Sequence, residues 1–312
     1  MSREVFDVVI IGSGPAAYTA AIYAARASLK TVIYGGDVPG GQLLLTSEVE
    51  NFPGFKEGVL GPDLMDEMLA QTERFGVAVH REFVKQVKPG KPHEVVLANG
   101  EVVSAHTIVI ATGASARWLG LENETRLMAK GISACATCDG YFFQGKDVVV
   151  VGGGDTAMEE ALTLTKFASH VTVVHRRDSL RASKIMQDRA KQHPKISFIW
   201  DSAVTDVFGE NMVDGVEITN LKTKNKRRLK TQGLFVAIGH DPATKFLRGV
   251  IDLDEQGYVA VRDGVFTNVE GIFAAGDVAD KRYRQAITAA GDGCRAALEA
   301  ERYLADNELV AA

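Results

Sequence analysis

The chain is 312 residues long, more than one hydrophobic core usually spans, so two domains are expected. Apolar residues make up 46% and charged residues 24%, the balance of a globular protein rather than a disordered one. The formal charge of -5 gives no electrostatic reason to expect nucleic acid, and three cysteines are too few for a secreted disulfide framework.

Ser2-Arg3-Glu4 leads directly into Val5–Ile11, an apolar run interrupted by Asp7 that predicts a buried strand. It is too short to span a bilayer, no other stretch reaches transmembrane length, and no targeting segment is expected; a soluble protein of the cytoplasm follows, with no membrane partner. The turn Gly12-Ser13-Gly14-Pro15-Ala16-Ala17 then opens an alanine-dense helix over Ala17–Ala27, and Thr31–Tyr34 predicts the next strand. Pro39-Gly40-Gly41 and Asn51-Phe52-Pro53-Gly54 read as loops, Asp63–Phe75 as an amphipathic helix and Asn99-Gly100 as a hairpin tip. Thr107–Ala111 predicts another buried strand, ending at Thr112-Gly113.

About 140 residues after the first glycine turn the pattern repeats. Val148–Val151 runs into Gly152-Gly153-Gly154-Asp155-Thr156-Ala157, a helix is expected over Met158–Phe167, and strands over Val171–Val174 and Leu234–Gly239. Ile272–Val278 reads as one more strand, followed by Arg284-Gln285 and a helix over Ala286–Leu304. Alternation of this kind makes parallel α/β units. Hinges are placed near Ala114–Ala116 and Asp241–Lys245, giving domains over 1–115, 116–243 and 244–312, the last rejoining the first.

In Gly12-x-Gly14-x-x-Ala17 the first glycine permits the tight turn and the second admits a pyrophosphate. The alanine keeps the helix against the strand, its N-terminal N–H groups facing the phosphates. One such turn is a weak signal; recurrence at Gly152, Gly154 and Ala157 in the same context argues for two dinucleotide sites. After the second strand of the second unit stand His175-Arg176-Arg177, with Arg181 one turn on. That is a cationic set suited to the 2′-phosphate of NADPH where an NAD site would carry an acid; a solvated basic turn is the rival reading. The first unit has neither an arginine cluster nor an acid at that place. A different dinucleotide such as FAD is expected there, with Asp37 the nearest acid to an adenosine ribose.

Cys135-Ala136-Thr137-Cys138-Asp139-Gly140 carries redox chemistry. Two thiols at this spacing can close a small disulfide, and Asp139 stands beside them as a proton carrier. Half a zinc site is the competing reading, but no second ligand pair accompanies it, so no metal is expected. Cys294, among C-terminal alanines, reads as a buried small hydrophobe. Asp277, after Ala275-Gly276, fits either a ribitol hydroxyl or a helix cap.

These segments together resemble low-molecular-weight thioredoxin reductase over nearly the whole chain. The resemblance rests on Gly12-Ser13-Gly14-Pro15-Ala16, Gly40-Gly41-Gln42-Leu43, Glu50-Asn51-Phe52-Pro53-Gly54, Ala111-Thr112-Gly113-Ala114, Cys135–Gly140, His175-Arg176-Arg177, and Ala275-Gly276-Asp277 with Arg284-Gln285-Ala286. The Cys-Ala-Thr-Cys-Asp-Gly segment is the most specific of them. The resemblance implies a homodimer whose FAD domain is split around an inserted NADPH domain bearing the disulfide, with rotation between the two. It implies that Gly41, Gln42 and Asn51 line the FAD site and that Asp277, Gln285 and Ala286 reach the flavin, hydride passing from NADPH through FAD to the disulfide and on to a thioredoxin-like protein. Two departures stand out: Leu44 and Leu45 replace the threonines common in relatives, and the acid often found after the second strand is missing. Alternatives are a flavoprotein serving a glutaredoxin-like protein, a peroxiredoxin or ferredoxin, and a non-catalytic redox sensor; ferredoxin would not need the cysteine pair.

Overall fold

The computed structural model describes residues 4–46 and 48–310, and the Ser2-Arg3 lead-in lies outside them. Val8, Val9 and Ile10 have no exposed surface, as a central strand covered on both faces requires. This strand, Val5–Ile11, pairs in parallel with Thr31–Tyr34 on one side and with Val102–Ile110 on the other. Ala78–His80 extends the sheet beyond Thr31–Tyr34, and Ile272–Ala274 adds a parallel strand to the far end of Val102–Ile110. Val84–Lys88 and His93–Leu97 complete the seven strands as an antiparallel meander whose tip holds Asn99-Gly100.

Two helices lie together on this sheet, Pro15–Arg26 and Ala286–Asp306. Small residues set their spacing: a Cβ on Gly293 would stand 2.1 Å from the Ala16 carbonyl oxygen, so only glycine permits the approach. Cys294, next in the same helix, is half-buried rather than buried. The helix geometry places Cys294 at the seam's edge instead of inside it.

A second compact unit, 116–240, is inserted between residues up to 115 and residues from 241 onward. The second crossing thus falls three residues ahead of the boundary set at 243. Its five-stranded parallel sheet places Asp147–Val151 between Gly233–Val236 and His170–Val174, with Ile132–Ser133 and Ile196–Ile199 at the edges. A three-stranded antiparallel sheet, Ser202–Phe208, Gly215–Asn220 and Lys226–Lys230, follows. Both units are Rossmann-like: parallel strands, glycine turns, and helices entered directly from them.

Several expected elements differ in extent; the strand expected over Thr107–Ala111, for one, begins at Val102. Pro15 is the first helical residue, since proline's fixed φ suits that position, and the second helix likewise starts early, at Asp155. The expected strand Ile272–Val278 ends at Ala274. Gly276, at φ 74°, turns the chain into a 3-10 turn over Gly276–Val278.

Candidate functional site

In each unit the glycine turn sits at the carboxyl end of the central strand, where open α/β sheets receive ligands. A Cβ on Gly12 would fall 2.1 Å from the Ala111 carbonyl oxygen, and one on Gly152 would fall 2.4 Å from that of Ala237. The neighbouring strand end therefore closes over each turn. Around Gly14 and Gly154, which cap the two helices, a Cβ would meet nothing within 4 Å, and neither helix has a side-chain cap. These are open cradles lined by unclaimed N–H groups, which is what a pyrophosphate needs.

The two turns differ at their middle residue in a complementary way. Ser13 donates its hydroxyl to the Gly35 carbonyl (3.0 Å) and accepts the Gly40 N–H (3.2 Å). In the second unit the pair is reversed: Gly153 leaves room for the His175 ring, which a Cβ there would meet at 2.2 Å. His175 is accordingly buried and turned inward, and burial holds its imidazole below the ordinary range despite carbonyls of Ser179 and Gly152 nearby. Its Nε2 has no hydrogen-bond partner. Arg176, Arg177 and Arg181 are exposed, and none forms an ion pair with a carboxylate among the described residues. Their loop is tied to the cradle because the Gly153 carbonyl accepts the N–H groups of Arg181 (2.7 Å) and Ala182 (3.1 Å). Asp155 is engaged as well, its carboxylate accepting both the N–H and the hydroxyl of Ser183. Thr156 is half-buried beside it, and Ala157 is buried under the turn.

The first unit gathers Pro15, Ala16 and Ala111 around Gly12 and Gly14. Gly41 approaches Gly14, and Gly276 lies against Ala16 and Ala289. Thr112 donates its hydroxyl to the Ala243 carbonyl (2.9 Å), and Gly113 turns the chain at φ 69°. Asn51 donates to the Gln285 side chain (3.3 Å) at the cap of the long helix, whose first residue is Ala286. Arg284, at φ 48°, spends its guanidinium on the Lys281 carbonyl. Gln42 and Asp37 are exposed near the same edge, and Leu44 packs toward the core while Leu45 faces out.

Asp277 is the informative residue here. Its Oδ1 is buried without a hydrogen-bond partner, and its carboxyl is pushed up to about 7 by burial, then by the Asp280 carboxylate, against Arg284. An acceptor held in this condition fits a ligand hydroxyl, so the residues present suit the ribitol of FAD. The sign follows from the raised value. Below pH 3.8 the group is protonated folded or unfolded and costs nothing; the cost grows through the window from 3.8 to 7 and is complete above it. FAD-free protein should therefore be less stable to urea at pH 8 than at pH 5.5, by an upper bound of roughly 2 kcal/mol, because only the part of the window above pH 5.5 is crossed. Asp277→Asn should flatten that difference, and a pH-independent wild-type midpoint would contradict it.

Cys135 and Cys138 are joined as a disulfide whose Cα atoms are 5.3 Å apart. Cys138 is exposed and Cys135 half-buried. Cys135 caps the short helix Ala136–Asp139, and its sulfur accepts the Cys138 N–H (3.1 Å). Ser133 Oγ accepts the Cys135 N–H (3.0 Å), and the Ala136 N–H is taken by the Glu160 carboxylate. Burial pushes the Asp139 carboxyl up, against a hydrogen bond from Ser133. A group so poised holds its proton closer to neutrality than a free carboxylate does. Ser133, Glu160 and Ser183 carry no motif. Only the fold brings them to their sites.

Residues 6–293 match the family model of the pyridine nucleotide-disulphide oxidoreductases. Thioredoxin reductase from Streptomyces clavuligerus is 54% identical over 314 residues, covering 99% of this chain and 98% of that protein. A bifunctional thioredoxin reductase/thioredoxin from Mycobacterium leprae is 50% identical over 98% of this chain and 67% of its own length. The crystal structure of thioredoxin reductase from Streptococcus pyogenes superposes with a TM-score of 0.93 at 42% identity, over 98% of this chain and 100% of that one.

Proposed function

Because the chain belongs to the pyridine nucleotide-disulphide oxidoreductases, as one of the low-molecular-weight thioredoxin reductases, we propose that it moves two electrons from NADPH to Cys135–Cys138, and from there to thioredoxin. It is an oxidoreductase that acts on a disulfide. The single observation that carries this reading is the Cys135–Cys138 disulfide, set beside the half-buried Asp139 carboxyl in a unit that also holds a dinucleotide cradle.

We assign FAD to the unit built from residues up to 115 and from 241 on, and NADPH to 116–240. The open Gly14 turn, the unpartnered Asp277 Oδ1 and the Asn51–Gln285 bond support the first assignment. The exposed Arg176, Arg177 and Arg181, tethered to the Gly153 carbonyl, support the second. When bound, the two cofactors supply a hydride donor and a two-electron relay. The chain's own residues then manage the sulfur chemistry. Opening the disulfide takes two electrons and two protons, and Asp139 is the carboxyl placed to deliver one of those protons to the pair. The resulting dithiol attacks the partner's disulfide. A thiolate sulfur bonds one partner sulfur while the other leaves, and the second thiol displaces the reduced partner and restores Cys135–Cys138.

Thioredoxin as the acceptor is supported by the Mycobacterium leprae relative, whose name joins reductase and thioredoxin in one protein. A homodimer is the assembly the family resemblance implies. No helix among the described residues is long and apolar enough to cross a membrane, and the cytoplasm is the compartment we assign. The purified protein should be yellow, bleach when NADPH is added, and regain colour with thioredoxin disulfide. Colourless protein after incubation with FAD, or bleaching that thioredoxin never reverses, would overturn the reading; recovery with a peroxiredoxin instead would move the acceptor.

A further inference from the structure

Glu160 stands midway along the helix Asp155–Leu164, and its carboxylate accepts the N–H of Ala136, the residue after Cys135. Three donors of the redox turn are thereby divided. Cys135 N–H goes to the Ser133 hydroxyl, Ala136 N–H to Glu160, and Cys138 N–H to the Cys135 sulfur. We propose that Glu160 is a positioning residue: it clamps the Cys135–Cys138 turn to the dinucleotide helix and keeps the Cys135 thiol protonated once the pair is reduced. The inference rests on the reading of that pair as redox-active.

The argument is electrostatic. Reduction leaves two thiols, and ionising Cys135 would place a negative charge one residue from the point that Glu160 already occupies. A like charge so close disfavours the thiolate. The carboxylate also consumes an N–H that would otherwise stabilise negative sulfur. The titratable groups that these elements bring to the redox turn include Cys138 and Asp139 in the turn itself, Tyr141 in the following turn Gly140–Phe143, and Glu160 from the helix packed on it; the strand Ile132–Ser133 contributes the Ser133 hydroxyl. Destabilising the thiolate destabilises the reduced pair relative to the disulfide, so Glu160 makes the dithiol the stronger donor to its partner.

Glu160→Gln keeps an acceptor for the Ala136 N–H and removes the charge; Glu160→Ala removes both. Each FAD-loaded variant, in a Cys294→Ser background, is reduced with dithiothreitol and alkylated with iodoacetamide from pH 6 to 10, Cys135 being followed by peptide mass. The midpoint for Cys135 should fall by on the order of one pH unit in both variants. At pH 9.5 the dithiol–disulfide equilibrium against dithiothreitol should move about tenfold toward the dithiol, about 30 mV for a two-electron couple. Hydrogen exchange at Ala136 should quicken in the alanine variant and stay protected in the glutamine one. An unchanged midpoint in both variants, or exchange that changes while midpoint and equilibrium stand still, overturns the proposal. NADPH-driven thioredoxin reduction by the wild type, measured alongside, tests the parent reading separately, because alkylation and exchange need no turnover.

Discussion

Cys138→Ser is expected to keep its flavin and to bleach with NADPH as the wild type does, yet to lose thioredoxin reduction entirely. The variant has no disulfide to receive electrons, so the route is cut after the flavin and before the partner. Little else should change, because Cys138 is exposed and serine fits its place. The residue-138 N–H would still reach the Cys135 sulfur, so the remaining thiol keeps its capping hydrogen bond. Iodoacetamide should label Cys135 in this variant without prior reduction, and fail to label it in oxidised wild type. Stopped-flow bleaching with NADPH and insulin-coupled thioredoxin turnover separate the two halves of the reaction. Thioredoxin turnover above background would mean that electrons bypass the pair; loss of bleaching would mean that the substitution had damaged the flavin site.

The parts legible in the sequence are those with local causes. Strand-turn-helix units declare themselves because Gly12 and Gly152 are demanded by a backbone oxygen less than 2.5 Å from where a Cβ would stand. The Cys135–Cys138 spacing permits a small disulfide, and the structure holds one. What stayed hidden has causes that are distant along the chain. Glu160 meets Ala136 across 24 residues, Asp155 meets Ser183 across 28, and Asn51 meets Gln285 across 234. His175 reads as a member of a basic cluster, but the missing Cβ at Gly153 lets its ring turn inward, a compensation visible only when both residues are in place. On sequence Asp277 fits a helix cap and a ligand acceptor equally. It caps no helix, and its unpartnered oxygen favours the second reading.

Replacing Arg176 and Arg177 together by alanine should weaken NADP+ binding by roughly a hundredfold while moving NAD+ by no more than about threefold. Each charge-assisted hydrogen bond to a phosphate is worth about 1.5–3 kcal/mol, and 1.4 kcal/mol is tenfold in affinity. The guanidinium groups are exposed, so solvent screening places the pair at the lower end of that range. The neighbouring acids do not cancel this charge: Asp178 and Asp201 are both within ion-pair distance of Lys222, at 3.7 and 2.9 Å. The turn should survive the double substitution, because it is anchored through the main chain, by Arg181 N–H to the Gly153 carbonyl and Asp201 N–H to the Arg177 carbonyl. Calorimetric titration of NADP+ and NAD+ at two salt concentrations gives both the preference and its origin. In wild type the NADP+ affinity should fall steeply with salt, and in the double variant that slope should flatten toward the slope for NAD+. Equal weakening of both nucleotides would point to a collapsed turn, and an undiminished preference would place the 2′-phosphate away from these arginines.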